Sequence, residues 1–207
     1  IFCMVRFLNK KRLGPVNTDK IEQTKEYYEK KYENPYPIEN YIPIFNKSID
    51  FLKDIDMNKS CNILDIGCGI GELGALIKEA GFTNYLGFDI SGTGLEKAKQ
   101  RVPDWKDKFI KFDAYKINNL DYKYDISMAI EVLEHIQDFK LIDNLRSGSK
   151  LIASVPNYWS SNNEHLRVYP SKFYIWRRYR KKMRFIKWYK HKLNKHRFMY
   201  IFSAEIK

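Results

Sequence analysis

Between residues 62 and 183, short apolar runs alternate with stretches of helical period. Ile63 and Leu64 form an apolar run that stops at Asp65, and a turn holding Gly67, Gly69 and Gly71 follows. Leu73, Leu76 and Ile77 then recur at the spacing of one helix face, which stops at Gly81. Tyr85 to Phe88 reads as a second strand ending at Asp89, and Ser91-Gly92-Thr93 caps a helix running to about Arg101. A third strand, Phe109 to Phe112, ends at Asp113-Ala114. A fourth, Tyr124 to Ile130, runs into Glu131, and a fifth, Leu151 to Val155, ends at Pro156-Asn157. Strands alternating with helices predict an α/β fold with a doubly wound, mostly parallel sheet.

The flanks have a different texture. Residues 1–16 read as a leader, with an apolar start broken by Arg6 and followed by Lys10-Lys11-Arg12, the reverse order of a secretory signal. The remainder, 17–207, reads as one domain. In 17–59, Thr18 or Asp19 caps a helix carrying Ile21, Lys25 and Tyr28, with Tyr27 and Tyr32 nearby. Asn34-Pro35-Tyr36-Pro37 breaks it, and a second helix from about Pro43 to Leu52 aligns Ile44, Phe45, Ser48 and Phe51-Leu52. Residues 60–160 form the core. In 161–207, Ser171 to Met183 reads as a helix with Ile175, Tyr179 and Met183 in one stripe. Arg184 to His191 and Arg197 to Ile206 read as strands joined by Leu193-Asn194-Lys195.

Composition narrows the class. The chain has 207 residues, enough to bury a real core, and 44% hydrophobic content is ordinary for a globular protein. No apolar run has membrane-spanning length. Cys3, Cys61 and Cys68 show neither paired nor metal-type spacing, which points to a reducing, cytoplasmic setting. The net charge of +12 is localised: 13 Lys and Arg and no acid lie between His165 and Ala204. Four readings of this basic region stand. It is a solvated face, an RNA-binding surface with Trp176, Tyr179, Phe185, Trp188 and Tyr189 among the cations, a field that steers a small anionic substrate, or a contact to an acidic membrane surface. The absence of an added RNA-binding domain and the short cap favour the small anionic substrate, with RNA second.

The glycine turn decides the ligand. Gly69, Gly71 and Gly74 satisfy a dinucleotide spacing, but then Gly67 falls inside the approach to the turn, and starting from Gly67 puts Glu72 where glycine or alanine is required. Asp65 would repel a pyrophosphate, whereas it suits a ligand carrying an ammonium and a sulfonium. Asp65-Ile-Gly67-Cys-Gly69-Ile-Gly71 resembles the first motif of class I S-adenosylmethionine-dependent methyltransferases. The resemblance implies a seven-stranded sheet with the last strand reversed and a short N-terminal helical lid. It implies S-adenosylmethionine as donor and S-adenosylhomocysteine as product. It places Asp65, Gly67, Cys68, Gly69 and Ile90 against the donor, Asp89 at its ribose, Asp113 and Ala114 along its adenine, and Glu131 nearby. Tyr28 would be the lid residue, with Tyr27 and Tyr32 as alternatives. Asp113 also reads as a plain turn carboxylate.

Glu131-Val-Leu-Glu134-His135 resembles the E-V-L-E-H motif widespread in small-molecule members of that family. For a hydroxyl acceptor His135 is the candidate base, with packing at the strand–helix junction as its alternative. Glu131, Glu134, His135 and His165 also suit Mg²⁺ or Mn²⁺. Ubiquinone-pathway O-methyltransferases and enzymes that methylate the 3′-terminal ribose of small RNAs use such a set. Asn157, His165 and Arg167 fall in the loop that should border the acceptor, although Asn157 could simply shape the turn after Pro156. The expected activity is O-methylation of a small anionic metabolite by direct displacement, the metabolite being phosphorylated or nucleotide- or lipid-linked, as in surface-polysaccharide pathways. The alternatives are a metal-dependent RNA 3′-ribose or catechol O-methyltransferase, and a non-catalytic cofactor-binding subunit.

Overall fold

The computed structural model describes residues 21–35, 39, 41–160, 162 and 164–207. The leader reading, the caps at Thr18 and Asp19, and the Tyr36-Pro37 part of the helix break lie outside these residues. Among the described residues, seven strands form one sheet in the order β3-β2-β1-β4-β5-β7-β6. They are β1 Ile63–Ile66, β2 Tyr85–Asp89, β3 Phe109–Lys111, β4 Ile126–Ala129, β5 Lys150–Pro156, β6 Met183–Lys192 and β7 Phe198–Ile206. β1 to β5 pair in parallel, whereas β7 runs antiparallel to both β5 and β6, so the last strand is reversed as expected. β1 and β4 are buried at every position, because helices cover both faces of a parallel sheet.

The helices are α1 Lys25–Lys31, α2 Ile42–Ile55, α3 Glu72–Glu79, α4 Gly92–Arg101, α5 Asp138–Ile142 and α6 Lys172–Tyr179. On one face of the sheet Ile44, Phe51 and Leu52 of α2 pack with Ile77 of α3 and Leu95 of α4. On the other, Leu141, Tyr169, Ile175 and Tyr179 pack against Phe202. Local chemistry sets the starts. Ser91 accepts a hydrogen bond from Gly94 N at 3.1 Å and Ser171 one from Tyr174 N at 3.1 Å, each satisfying an amide that the helix itself leaves open.

Two boundaries differ from the sequence reading by more than three residues. α1 begins after Thr24, whose hydroxyl accepts from Tyr27 N at 3.3 Å, and Ile21 is non-helical and exposed. α6 ends at Tyr179 rather than Met183. Met183 keeps its buried place in the same cluster by opening β6 opposite Ile206. The stripe was a correct statement about burial, and a strand satisfied its third position.

Candidate active site

The strand order reverses between β1 and β4, so a crevice opens at their carboxyl ends. Two adjoining cavities of about 600 and 250 Å³ lie there, and both are lined by Lys31, Tyr32, Gly67, Glu131 and His135. The larger takes in Asp65, Cys68 and Gly69. The smaller takes in Tyr28, Asp89, Ile90, Asp113 and Ala114. Every residue that the sequence assigned to the donor therefore lines one cavity or the other.

The turn after β1 has Gly67, Gly69 and Gly71 at φ of 69°, 52° and 80°, the left-handed region that side chains disfavour. Gly67 N and Cys68 N both donate to Phe88 O, at 2.9 and 3.0 Å, which ties the turn to the end of β2. Asp89, 6% exposed, accepts from Gly69 N and Ser91 N at 2.9 Å each. Burial raises its pKa, and those two amides oppose the rise. Asp65 is buried and accepts from the Tyr85 hydroxyl at 2.7 Å. Burial pushes its carboxyl up to about 7 even though the Tyr85 bond pulls the other way. Asp113 accepts from Tyr115 N at 2.9 Å, so its turn role is realised while it also lines the smaller cavity.

Helix α1 lies over the crevice. A Cβ added at Gly69 would come within 2.9 Å of the Tyr32 hydroxyl, and one at Gly94 within 2.9 Å of the Tyr32 ring. Glycine at both positions is what admits this tyrosine. Tyr28 lines the smaller cavity, and Tyr27 donates to Glu164 at 2.7 Å. Lys31 also meets Glu164, at 2.7 Å. Glu29 accepts from Ser91 Oγ, Gly92 N and Thr93 N at 2.8, 2.9 and 2.7 Å, capping α4 beside Asp89. Sequence reading missed Glu29 and Glu164, because their partners are distant in the chain and no local spacing marks them.

Glu131 has a φ of 59° and is not a glycine, a strained conformation that costs on the order of 1–3 kcal/mol. Ser154 holds it: Glu131 N donates to the Ser154 hydroxyl at 2.9 Å, and that hydroxyl donates to Glu131 Oε1 at 2.7 Å. Burial raises the Glu131 pKa. Glu134 is fully buried and neither of its carboxylate oxygens has a hydrogen-bond partner among the described residues. Burial, then the Glu131 charge, push its pKa well up. His135 Nε2 lies 3.9 Å from Glu134 Oε1, and the His135 and His165 rings meet edge to face at 4.9 Å. Burial, reinforced by His165 and Lys31, holds the His135 imidazolium down to about 3, so the ring is neutral. The ligand-type atoms of Glu134, His135 and His165 all lie within 4.8 Å of one another, and Glu131 is not in that group.

Of the three residues expected on the acceptor side, none lines either cavity. Arg167 is buried and donates to the carbonyls of Leu133, at 2.5 Å, and Ile136. Through Nη1 it braces the Glu131–Ile136 turn from behind, while its Nε has no hydrogen-bond partner among the described residues. Asn157 accepts from Phe198 N at 2.7 Å and donates to His196 O at 3.2 Å, the turn-shaping alternative. His165 is buried beside His135. In their place the larger cavity is walled by Tyr41, Phe45, Tyr158 and Trp159 and by Arg197 at the tip of the β6–β7 hairpin. The basic region thus reaches the site through the hairpin tip. No helix among the described residues is long and apolar enough to cross a membrane.

Residues 64–152 match a family model described as a methyltransferase domain. No curated protein matches the chain. Among solved structures, the magnesium protoporphyrin IX methyltransferase ChlM of Synechocystis PCC 6803, with bound S-adenosylmethionine, is 18% identical. The match covers 90% of this chain and 93% of that one, with a TM-score of 0.63. The N-methyltransferase NodS of Bradyrhizobium japonicum WM9, in complex with S-adenosylhomocysteine, is 14% identical over 88% and 97% of the two chains, at a TM-score of 0.70. The methyltransferase domain of the bacterial protein CtHen1 is 21% identical over 78% and 96%, at 0.56. The fold is that of the class I methyltransferases.

Proposed function

We propose that this chain is an S-adenosylmethionine-dependent methyltransferase that methylates a small anionic acceptor at oxygen. The observation that carries the donor reading is the convergence of Asp65, the glycine turn, Asp89, Asp113 and Glu131 on two adjoining cavities at the reversal of strand order. S-adenosylmethionine in that position supplies an electrophilic methyl carbon and a neutral thioether leaving group. Asp89 receives the ribose hydroxyls on the lone pairs that Gly69 N and Ser91 N leave open. Asp65 faces the cationic end. The Tyr32 ring and α1 exclude water. The neutral His135 ring orients the acceptor hydroxyl, and Glu131, whose pKa burial raises, is better matched than His135 to take the proton. This reading gives the proton to Glu131 rather than to His135, the base expected from sequence, because burial disfavours the imidazolium.

Calorimetric titration with S-adenosylmethionine at pH 8 and pH 6 tests this reading. Asp65 is mostly protonated below about 7, and a cationic ligand favours its ionised form. Affinity should therefore fall several-fold at pH 6, with proton release on binding in the neutral range. The absence of binding heat at both pH values would sink the proposal.

A second reading is favoured by the orphaned Glu134 carboxylate. One unpartnered buried carboxylate beside His135 and His165 fits a divalent cation that accepts mixed oxygen and imidazole ligands, such as Mn²⁺, better than Mg²⁺. Glu134, His135 and His165 would hold it, and the ion would supply Lewis acidity toward an acceptor hydroxyl. Mn²⁺ at about 100 times its dissociation constant should then raise the melting temperature by about 5–10 °C. EDTA should reverse the shift and Glu134→Gln should abolish it. If the shift is absent, Glu134 is a protonated acid in a dry site.

A further inference from the structure

We infer that Arg197 is a specificity-determining residue that receives the anionic group of the acceptor, a carboxylate or phosphate carried on a planar apolar body. The inference rests on the methyltransferase reading of the same site and names what the acceptor must look like.

The hairpin tip is held from both sides. Asn194 Oδ1 accepts from His196 N at 2.9 Å and from Arg197 N at 3.0 Å, and Leu193 N donates to Arg197 O at 3.0 Å. Asn157, at the end of β5, grips His196 O and Phe198 N on either side of Arg197. The backbone carrying this arginine is therefore anchored to the strand beside β4, whose end presents Glu131. Such anchoring places a long cation at the cavity edge without ordering it through an ion pair.

The guanidinium lies 5.2 Å from the centre of the Tyr158 ring and lines the same cavity as Glu131 and His135. Among the described residues it makes no ion pair. The acids lining that cavity already have partners: Asp65 the Tyr85 hydroxyl, Glu72 the Arg101 guanidinium, Glu131 the Ser154 hydroxyl, and Glu164 the Lys31 ammonium. Arg197 is thus a cation aimed at a catalytic crevice with its charge uncommitted to these acids. Lys192, Lys195 and His196 flank it, and no acid occurs between His165 and Ala204, so the hairpin side of the mouth is cationic. A guanidinium matches the planar fork of a carboxylate or the oxygens of a phosphate. Tyr41, Phe45, Tyr158 and Trp159 provide flat apolar walls for the rest of the acceptor.

Calorimetry on the full chain tests the inference with three probes: phenyl phosphate, benzoate and uncharged phenol, each titrated with and without S-adenosylhomocysteine. At low salt, at least one anion should bind roughly tenfold or more tightly than phenol. Arg197→Ala should reduce that preference to within about twofold, and Arg197→Lys should keep part of it. S-adenosylhomocysteine affinity should be the same in all three proteins, which shows that the variants are folded. Phenyl phosphate against benzoate identifies the preferred anion. An intact protein with no anion preference, or an Arg197→Ala protein that keeps it, overturns the inference. The donor reading fails separately, if S-adenosylhomocysteine gives no heat, because the anion arm is read without it as well.

Discussion

Asp89→Ala is expected to weaken S-adenosylmethionine binding at least about 100-fold, a loss of roughly 2.7 kcal/mol. Hydrogen bonds to a charged group contribute about 1.5–3 kcal/mol each, and a ribose diol offers two donors to this carboxylate. The same substitution removes the acceptor for Gly69 N and Ser91 N, both 2.9 Å away, so the glycine turn and the start of α4 lose their common anchor. Asp89→Asn keeps one acceptor oxygen and should fall between the two. Titration calorimetry supplies the affinities, and thermal unfolding shows how much of the loss comes from a loosened turn. Binding by the alanine variant within threefold of the parent would place the ribose elsewhere.

Asp138→Ala should produce the largest loss of stability, about 3–5 kcal/mol, which for a chain of this size lowers the melting temperature by about 6–20 °C. The Asp138 carboxylate is 1% exposed and accepts from Arg178 Nε and Nη2 at 2.6 and 2.7 Å and from the Tyr179 hydroxyl. Arg167 lies 3.6 Å away. Removing the acid leaves two guanidinium groups without their counter-charge, one of them fully enclosed. Although burial alone would raise it, the Arg178 bonds and the nearby Arg167 charge hold the Asp138 pKa below the usual carboxylate value. Its contribution is therefore present above the unfolded carboxyl pKa of about 3.9 and is lost as pH falls through the lower folded value. The parent and the variant should converge in stability at strongly acidic pH. Since Arg167 also holds the carbonyls of Leu133 and Ile136, the variant should bind the donor more weakly as well. Unchanged melting at pH 7 would remove this network from the account of stability.

The lid has a consequence for exchange. Glu29 and Glu164 fasten α1 at its two sides, one to the start of α4 and one through Tyr27 and Lys31. On the proposed methyltransferase reading, donor entry would have to loosen at least one of these fastenings, because Tyr32 lies over Gly69 and Gly94. The larger cavity, where the proposal places the acceptor, is lined by Glu164 and bounded by the hairpin tip.

The residues proposed to bind the donor could be picked out in the linear chain because they sit on local features. Strand ends carry acids, a turn needs glycines at positive φ, and serine caps the following helix, so Asp65, Gly67, Gly69, Asp89 and Ser91 announce themselves by spacing. The stripe of Ile175, Tyr179 and Met183 announced burial just as surely, though not that the third residue belongs to a strand. The residues proposed for the acceptor side had no such spacing. Arg167 and Arg197 look alike in a run of cations, and Asn157 looks as exposed as Asn194. Burial and the packing of distant segments separate them. Arg167 is enclosed, so its Nη1 donates to nearby carbonyls and its charge pairs with Asp138. Arg197 is carried by a hairpin that pairs with β5, so it reaches a cavity whose other walls include Tyr41, Phe45 and Glu131, more than sixty residues upstream. Local backbone geometry is written in neighbouring residues, whereas which charge is enclosed and which faces a ligand depends on how the sheet closes on itself.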